Sequence, residues 1–309
     1  MSFIDKALER AKQLHQKKQQ PEPQELASPP SPDPLRFPDA PPPFLDAGSQ
    51  TPLEEINYSQ TRTIPVNYEV MRRHRLITDL DGSLMAEEYK LIRTHILQRT
   101  RSQGKNVLMV TGPMAGEGKT LTSINLAIAI GQEMSHTALL VDLDLRFPSV
   151  TDYLGIRVKK GVVDYFKSGI SIPELLIHPE GLGKLVILPA GRPVAEAVEL
   201  LSSPQMVELV REMKHFYPDR YIIFDLPPVL YYADALAFAP LMDGIIMVVE
   251  AGRTAREDIV RAADLLKGFP VMGFVLNKLD SAPRAYSYYD RYYRDRNYKK
   301  KKGWGFRSK

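Results

Sequence analysis

The segment GPMAGEGKT, residues 112 to 120, places three glycines directly ahead of Lys119 and Thr120. Glycine-rich backbone can turn several amide N–H groups onto one anion, and a helix starting at its end adds the positive pole of its dipole. The segment therefore reads as a phosphate-binding loop for ATP: residues Gly116, Glu117, Gly118, Lys119, Thr120 and Leu121 around the phosphates, Lys119 reaching the β and γ groups, the Thr120 hydroxyl on Mg2+. The spacing departs from G-x-x-x-x-G-K-[ST] in one respect. Pro113 stands where a glycine belongs, and Gly112 comes one place early.

Two carboxylate sites accompany the loop. LLVDLDLRFP ends an apolar run in Asp142 and Asp144, whose spacing of two sends both to the same side of an extended chain. YIIFDLPPVL ends another in Asp225, the place a Walker B carboxylate takes near Mg2+. Three acids at the C-terminal ends of two apolar strands beside a phosphate loop form a cation site.

Far downstream, Tyr286, Tyr288, Tyr289, Tyr292, Tyr293 and Tyr298 crowd into thirteen residues among Ser, Asp, Arg and Asn. No helical or strand stripe runs through them, so they are not patterned for a core. Phenols behind a phosphoryl-transfer site are acceptors, and the simplest chemistry is self-phosphorylation.

Alternating strands and helices are needed to bring these groups together. Apolar runs predict strands at 107–111, 138–142, 185–189, 221–225, 245–249 and 271–276, continuous as in a parallel sheet covered on both faces. Helical patterns fall at 83–100, 118–132, within 149–178, at 204–216 and at 255–267, the last capped by Thr254 with Glu257. The expected fold is α/β, a single doubly wound, mainly parallel, P-loop NTPase-like domain over residues 66–282.

Residues 1–20 read as an amphipathic helix, with Ile4, Ala7, Leu8, Ala11 and Leu14 on one face to dock a partner. Residues 21–65 are a Pro-rich linker, since twelve of the 25 prolines precede residue 66. Residues 283–309 carry ten Lys and Arg against two Asp, so this +8 tail, not the domain, makes the +4 chain basic. The absence of cysteine excludes disulfides and Cys metal sites, and the six histidines lack ligand spacing. With no signal-peptide core and no apolar run near the roughly 18 residues of a membrane span, the expectation is a soluble cytoplasmic protein.

The apolar D-x-D-x-R pattern of Leu139 to Arg146, the D-x-x-P of Asp225 to Pro228 and the terminal tyrosine cluster, in that order, resemble the bacterial tyrosine kinases (BY-kinases) from about residue 66 onward. The resemblance implies an autokinase that uses ATP and Mg2+ on its own C-terminal tyrosines and forms ring-like homo-oligomers. It further implies control of exopolysaccharide or capsule synthesis and export from the cytoplasmic side of the inner membrane. The implied partners are an activating polysaccharide co-polymerase and a protein-tyrosine phosphatase. Glu87, Lys90 and Arg93 are similar to the family's E-x-x-R-x-x-R oligomerisation motif, with Lys at the first Arg, while Glu196 and Ala197 replace an Asn-Pro. The same resemblance puts the Asn277 amide at adenine.

In the implied mechanism Thr120, Asp144 and Asp225 hold Mg2+, and Asp142 orients the tyrosine hydroxyl and takes its proton. Arg146 either neutralises charge or contacts a neighbouring subunit. Transfer runs to a neighbour's tail, where each phosphate adds about −1.5 to −2, so six would reverse the tail's charge. Two rival readings remain. Partitioning ATPases, which act as nucleotide switches without phosphotransfer, carry a signature lysine where this chain has Met114. Tyr rings with Arg, Lys299 to Lys302 and Trp304 could meet bases or anionic lipid, but that use needs none of the three acids, so nucleic acid is not expected as a primary partner.

Overall fold

A computed structural model describes residues 61–78, 83–216 and 219–279. The expected N-terminal helix, nearly all of the linker and the tyrosine tail lie outside these residues. A short strand β1 (Arg62–Ile64) and helix α1 (Tyr68–Arg73) precede helix α2 (Leu84–Thr100). There follow β2 (Val107–Thr111), α3 (Lys119–Gly131), β3 (Thr137–Asp142), α4 (Val150–Leu154), α5 (Val162–Ser168), α6 (Ile172–Leu175), β4 (Ile177–Pro179) and β5 (Leu185–Leu188). Last come α7 (Ala197–Leu201), α8 (Pro204–Phe216), β6 (Arg220–Asp225), α9 (Asp234–Phe238), β7 (Gly244–Glu250), α10 (Arg256–Leu265) and β8 (Val271–Asn277).

Each predicted strand forms within a residue of its expected bounds, because each is a largely apolar run; all but the edge strand β8 are buried on both faces. The strands lie in the order β1-β4-β5-β3-β6-β2-β7-β8, parallel throughout except between β4 and β5. Alternate residues serve opposite cores. Met109, Val141 and Phe224 pack with Leu209 of α8 and Phe238 of α9, while Val110, Leu140 and Ile223 pack with Ile96 of α2 and Ile128 of α3. Helix α3 is buried on nearly every side, which its all-round apolar sequence after Asn125 requires.

Strand β2 sits between β6 and β7, so the chain leaves it in both directions and a crevice opens at its C-terminal end. Register completes the arrangement: Val110 is level with Asp225, and Asp225 is level with Asp142. The loop after β2 therefore leaves the sheet beside two carboxylates.

The boundary expected at residue 66 is corrected by β1, which pairs in parallel with β4 through Arg62 and Ile177. Three-residue strands carry no readable period, so neither could be seen in the sequence. Among the described residues no helix is long and apolar enough to cross a membrane.

Candidate functional site

Gly112 explains the shifted spacing of the phosphate loop. A methyl group there would stand 2.4 Å from the Val248 carbonyl oxygen and 2.5 Å from Glu117 Oε2. Glu117 folds beneath its own loop: Oε2 accepts from the Met114 amide at 2.8 Å and Oε1 from the Thr254 hydroxyl at 2.7 Å. Burial pushes its pKa up, and these two donors oppose the shift. Thr254 is thus not the cap of α10, whose N-cap is Ala255 with no side-chain bond. Its hydroxyl instead accepts from the Glu250 amide at 2.9 Å and donates inward, where a buried carboxylate is the better acceptor.

The outer side of the loop is held from β8. Asn277 Nδ2 donates to the Glu117 carbonyl at 2.9 Å, and its Oδ1 accepts from the Lys278 amide at 2.8 Å. Each end of that amide makes one bond within the protein, so Asn277 holds the loop, and its second N–H and second lone pair are left for a ligand. Gly118, at φ 93°, must be glycine twice over: a methyl would also lie 2.1 Å from Asn277 Nδ2. Lys119 begins α3 and donates to the Met114 carbonyl at 2.7 Å. Burial lowers its pKa, while Asp225, Glu117 and Asp144 favour its charged form.

Asp142 and Asp225 end neighbouring strands, and each is only 1% exposed. Asp225 Oδ1 accepts from the Ser123 hydroxyl at 2.9 Å, and Asp142 Oδ2 accepts from the Ser149 and Val150 amides at 3.1 Å each. Asp142 Oδ1 and Asp225 Oδ2 are buried with no hydrogen-bond partner. Burial raises the Asp225 pKa to about 6, and burial together with the Asp225 charge raises that of Asp142 well above the carboxylate range. Asp144, beyond the strand end, accepts from the Phe147 amide at 3.0 Å and lines a cavity. The expectation that Asp142 meets a tyrosine hydroxyl does not match this geometry, because the carboxylate that opens to the cavity is Asp144.

The three acids are also not a self-contained metal cage. Among the described residues no three His, Asp or Glu side chains converge as ligands for an ion. Mg2+ typically takes one or two carboxylates plus substrate phosphates, and the orphaned oxygen of Asp225, whose charge acts on Lys119, suits that division.

The cavity measures about 770 Å³ and joins Gly116, Gly118, Lys119, Thr120 and Leu121 to Asp144. Sequence reasoning missed its far wall. Arg73 at the end of α1 and His74 and Arg75 after it reach this wall, with the His74 ring stacked on Tyr153 at 4.3 Å. That wall is fastened by buried Asn125 in α3, whose amide donates to the Arg75 carbonyl at 3.2 Å and accepts from the Ile77 amide at 2.9 Å. An asparagine ahead of LAIAI was the available signal. The mouth carries Phe147 and Tyr231, 66% and 54% exposed.

Arg146 is spent internally. Its Nε lies 3.2 and 3.3 Å from the two carboxylate oxygens of fully buried Asp234, and its guanidinium stacks over Tyr232 at 4.8 Å. Of the expected oligomerisation residues, Glu87 and Lys90 pair at 2.7 Å on the α2 surface, but Arg93 turns inward to the Ala129 carbonyl at 2.8 Å.

Comparison with known proteins adds four relationships. Residues 108–302 match the CobQ/CobB/MinD/ParA nucleotide binding domain. The chain is 31% identical over 222 residues to the tyrosine-protein kinase YwqD of Bacillus subtilis, covering 71% of this chain and 92% of that protein. It is 33% identical over 217 residues to the succinoglycan biosynthesis transport protein ExoP of Rhizobium meliloti, covering 68% of this chain but only 27% of ExoP. Among solved structures, the VpsO kinase domain aligns with a TM-score of 0.57 and 30% identity over 66% of this chain and all of that one.

Proposed function

The chain belongs to the bacterial tyrosine kinases of the CobQ/CobB/MinD/ParA nucleotide-binding family, and from that premise we propose an ATP-dependent protein-tyrosine kinase that phosphorylates its own tail at Tyr286, Tyr288, Tyr289, Tyr292, Tyr293 and Tyr298. One observation carries the reading: a single cavity runs from Lys119 and Thr120 past Asp144 to the exposed rings of Phe147 and Tyr231. Phosphoryl transfer asks chiefly for positioning and charge neutralisation, and the two ends of this cavity offer one for the nucleotide and one for a phenol.

Lys119 and the amides of residues 116–121 hold the ATP phosphates. Thr120, Asp144 and Asp225 would hold Mg2+, which would neutralise phosphate charge; the orphaned oxygen of Asp225 supports this assignment. Asp144 is the carboxylate that meets the acceptor hydroxyl, while Asp142 fixes the loop at Ser149 and Val150. The aromatic mouth receives the incoming tyrosine ring.

The transfer runs between subunits of a ring-like homo-oligomer assembled through the Glu87 and Lys90 surface of α2. The protein works at the cytoplasmic side of the inner membrane, regulating exopolysaccharide or capsule synthesis and export. A polysaccharide co-polymerase activates it and a protein-tyrosine phosphatase resets it. ExoP, named for succinoglycan biosynthesis and transport, supports that setting. The test is to mix the Lys119→Met chain with wild type and Mg-ATP. Phosphotyrosine on the lysine-deficient chain is the expected result; phosphate confined to the active chain would refute transfer between subunits.

A further inference from the structure

We propose that Lys278 is a second cation of the nucleotide site, a positioning residue that holds the phosphate loop in its anion-binding shape and lends its charge to the phosphates. The proposal deepens the kinase reading, on which it rests for ATP as the nucleotide. It starts from the backbone. Lys278 has φ 58°, a left-handed conformation that costs a side-chain-bearing residue free energy and persists only where its surroundings hold it.

Three contacts do so. The amide of Lys278 donates to Asn277 Oδ1, and its ammonium donates to the Gly116 carbonyl at 2.6 Å and to Glu250 Oε2 at 3.0 Å. These bonds have a directional consequence. A loop that aims its N–H groups at an anion must turn its carbonyls the other way, and outward carbonyls need donors. The Gly116 carbonyl finds Lys278 Nζ, and the Glu117 carbonyl finds Asn277 Nδ2. Peptide flips that would close the nest must break a charge-assisted bond first.

Charge is the second half of the inference. Lys278 lines the same cavity as Lys119 and stands close enough that its charge depresses the Lys119 pKa. The loop itself offers no second ammonium, because Met114 occupies the place five residues before Lys119. Lys278 therefore brings from the end of β8 the positive charge that the loop sequence lacks.

The experiment measures ADP binding to the full chain by calorimetry over a range of salt, beside melting of the nucleotide-free protein. Lys278→Met is expected to bind ADP roughly tenfold more weakly, the loss of one charged contact, with a flatter salt dependence. Lys278→Arg, which keeps the charge, is expected to recover most of the affinity. Wild-type affinity and salt slope in Lys278→Met, or equal losses in the Met and Arg variants, would overturn the proposal. Should Lys278→Met fail to fold, Glu250→Gln serves: freeing the Lys278 charge is expected to tighten ADP binding, and unchanged or weaker binding counts against it. ADP binding involves no transfer to tyrosine, so an unphosphorylated tail alongside these affinity changes would count against the kinase reading alone.

Discussion

Replacing Asp225 with asparagine is expected to stabilise the nucleotide-free protein while removing its chemistry. The Asp225 pKa lies at about 6 instead of 3.8, so each molecule that folds above pH 6 must bury an ionised carboxylate that prefers its proton. At about 1.36 kcal/mol per unit, that difference amounts to about 3 kcal/mol. The sign follows from proton binding. Between pH 3.8 and about 6 the folded state holds the proton more tightly than the unfolded chain, so stability falls as pH rises through that window and levels off above it. The Asp225→Asn side chain has no such titration, and its amide oxygen can still accept from the Ser123 hydroxyl. The stability gap between variant and wild type should be near zero at pH 4 and open to about 3 kcal/mol by pH 7.5, or roughly 6–12 °C for a domain of this size. Thermal melts from pH 4 to 8 read the gap directly. Mg-ADP should then raise the melting temperature of wild type and barely move the variant. A variant no more stable than wild type at pH 7.5, or a gap that ignores pH, would refute the reasoning.

Two further outcomes test other parts of the account. Arg146→Ala leaves the fully buried Asp234 carboxyl without its partner and should destabilise the protein by about 3–5 kcal/mol in denaturant titration. Adding Asp234→Asn should recover most of that loss. Phosphorylating all six tail tyrosines adds roughly −9 to −12 to a segment of +8, so light scattering should show the assembly dissociating after ATP. An unchanged mass with heavily phosphorylated tails would refute charge reversal as the switch.

What the sequence disclosed was local. A strand buried on both faces is an unbroken apolar run, and a phosphate loop is a glycine spacing before Lys-Thr, so β2, β3, β6 and the loop were readable from neighbours in the chain. The remainder depends on contacts between distant segments. Thr254 reads as a helix cap until Glu117, 137 residues away, is folded beneath the loop. Arg146 and Asp234 are 88 residues apart, and nothing near either announces the pair. Asp142 and Asp144 look equivalent at a spacing of two. Only the end of β3 at Asp142 separates them, burying the first between strands and opening the second to the cavity. The wall of Arg73, His74 and Arg75 was hidden for the same reason, since Asn125 holds it across about 50 residues.

The most direct test of the central claim is to incubate the purified full chain with Mg-ATP, supply the cytoplasmic segment of the proposed co-polymerase, and map phosphate by mass spectrometry, with Lys119→Met as the blank. The account predicts phosphotyrosine within residues 286–298 of wild type and none in the blank. ATP turnover with no phosphate on those tyrosines would contradict it.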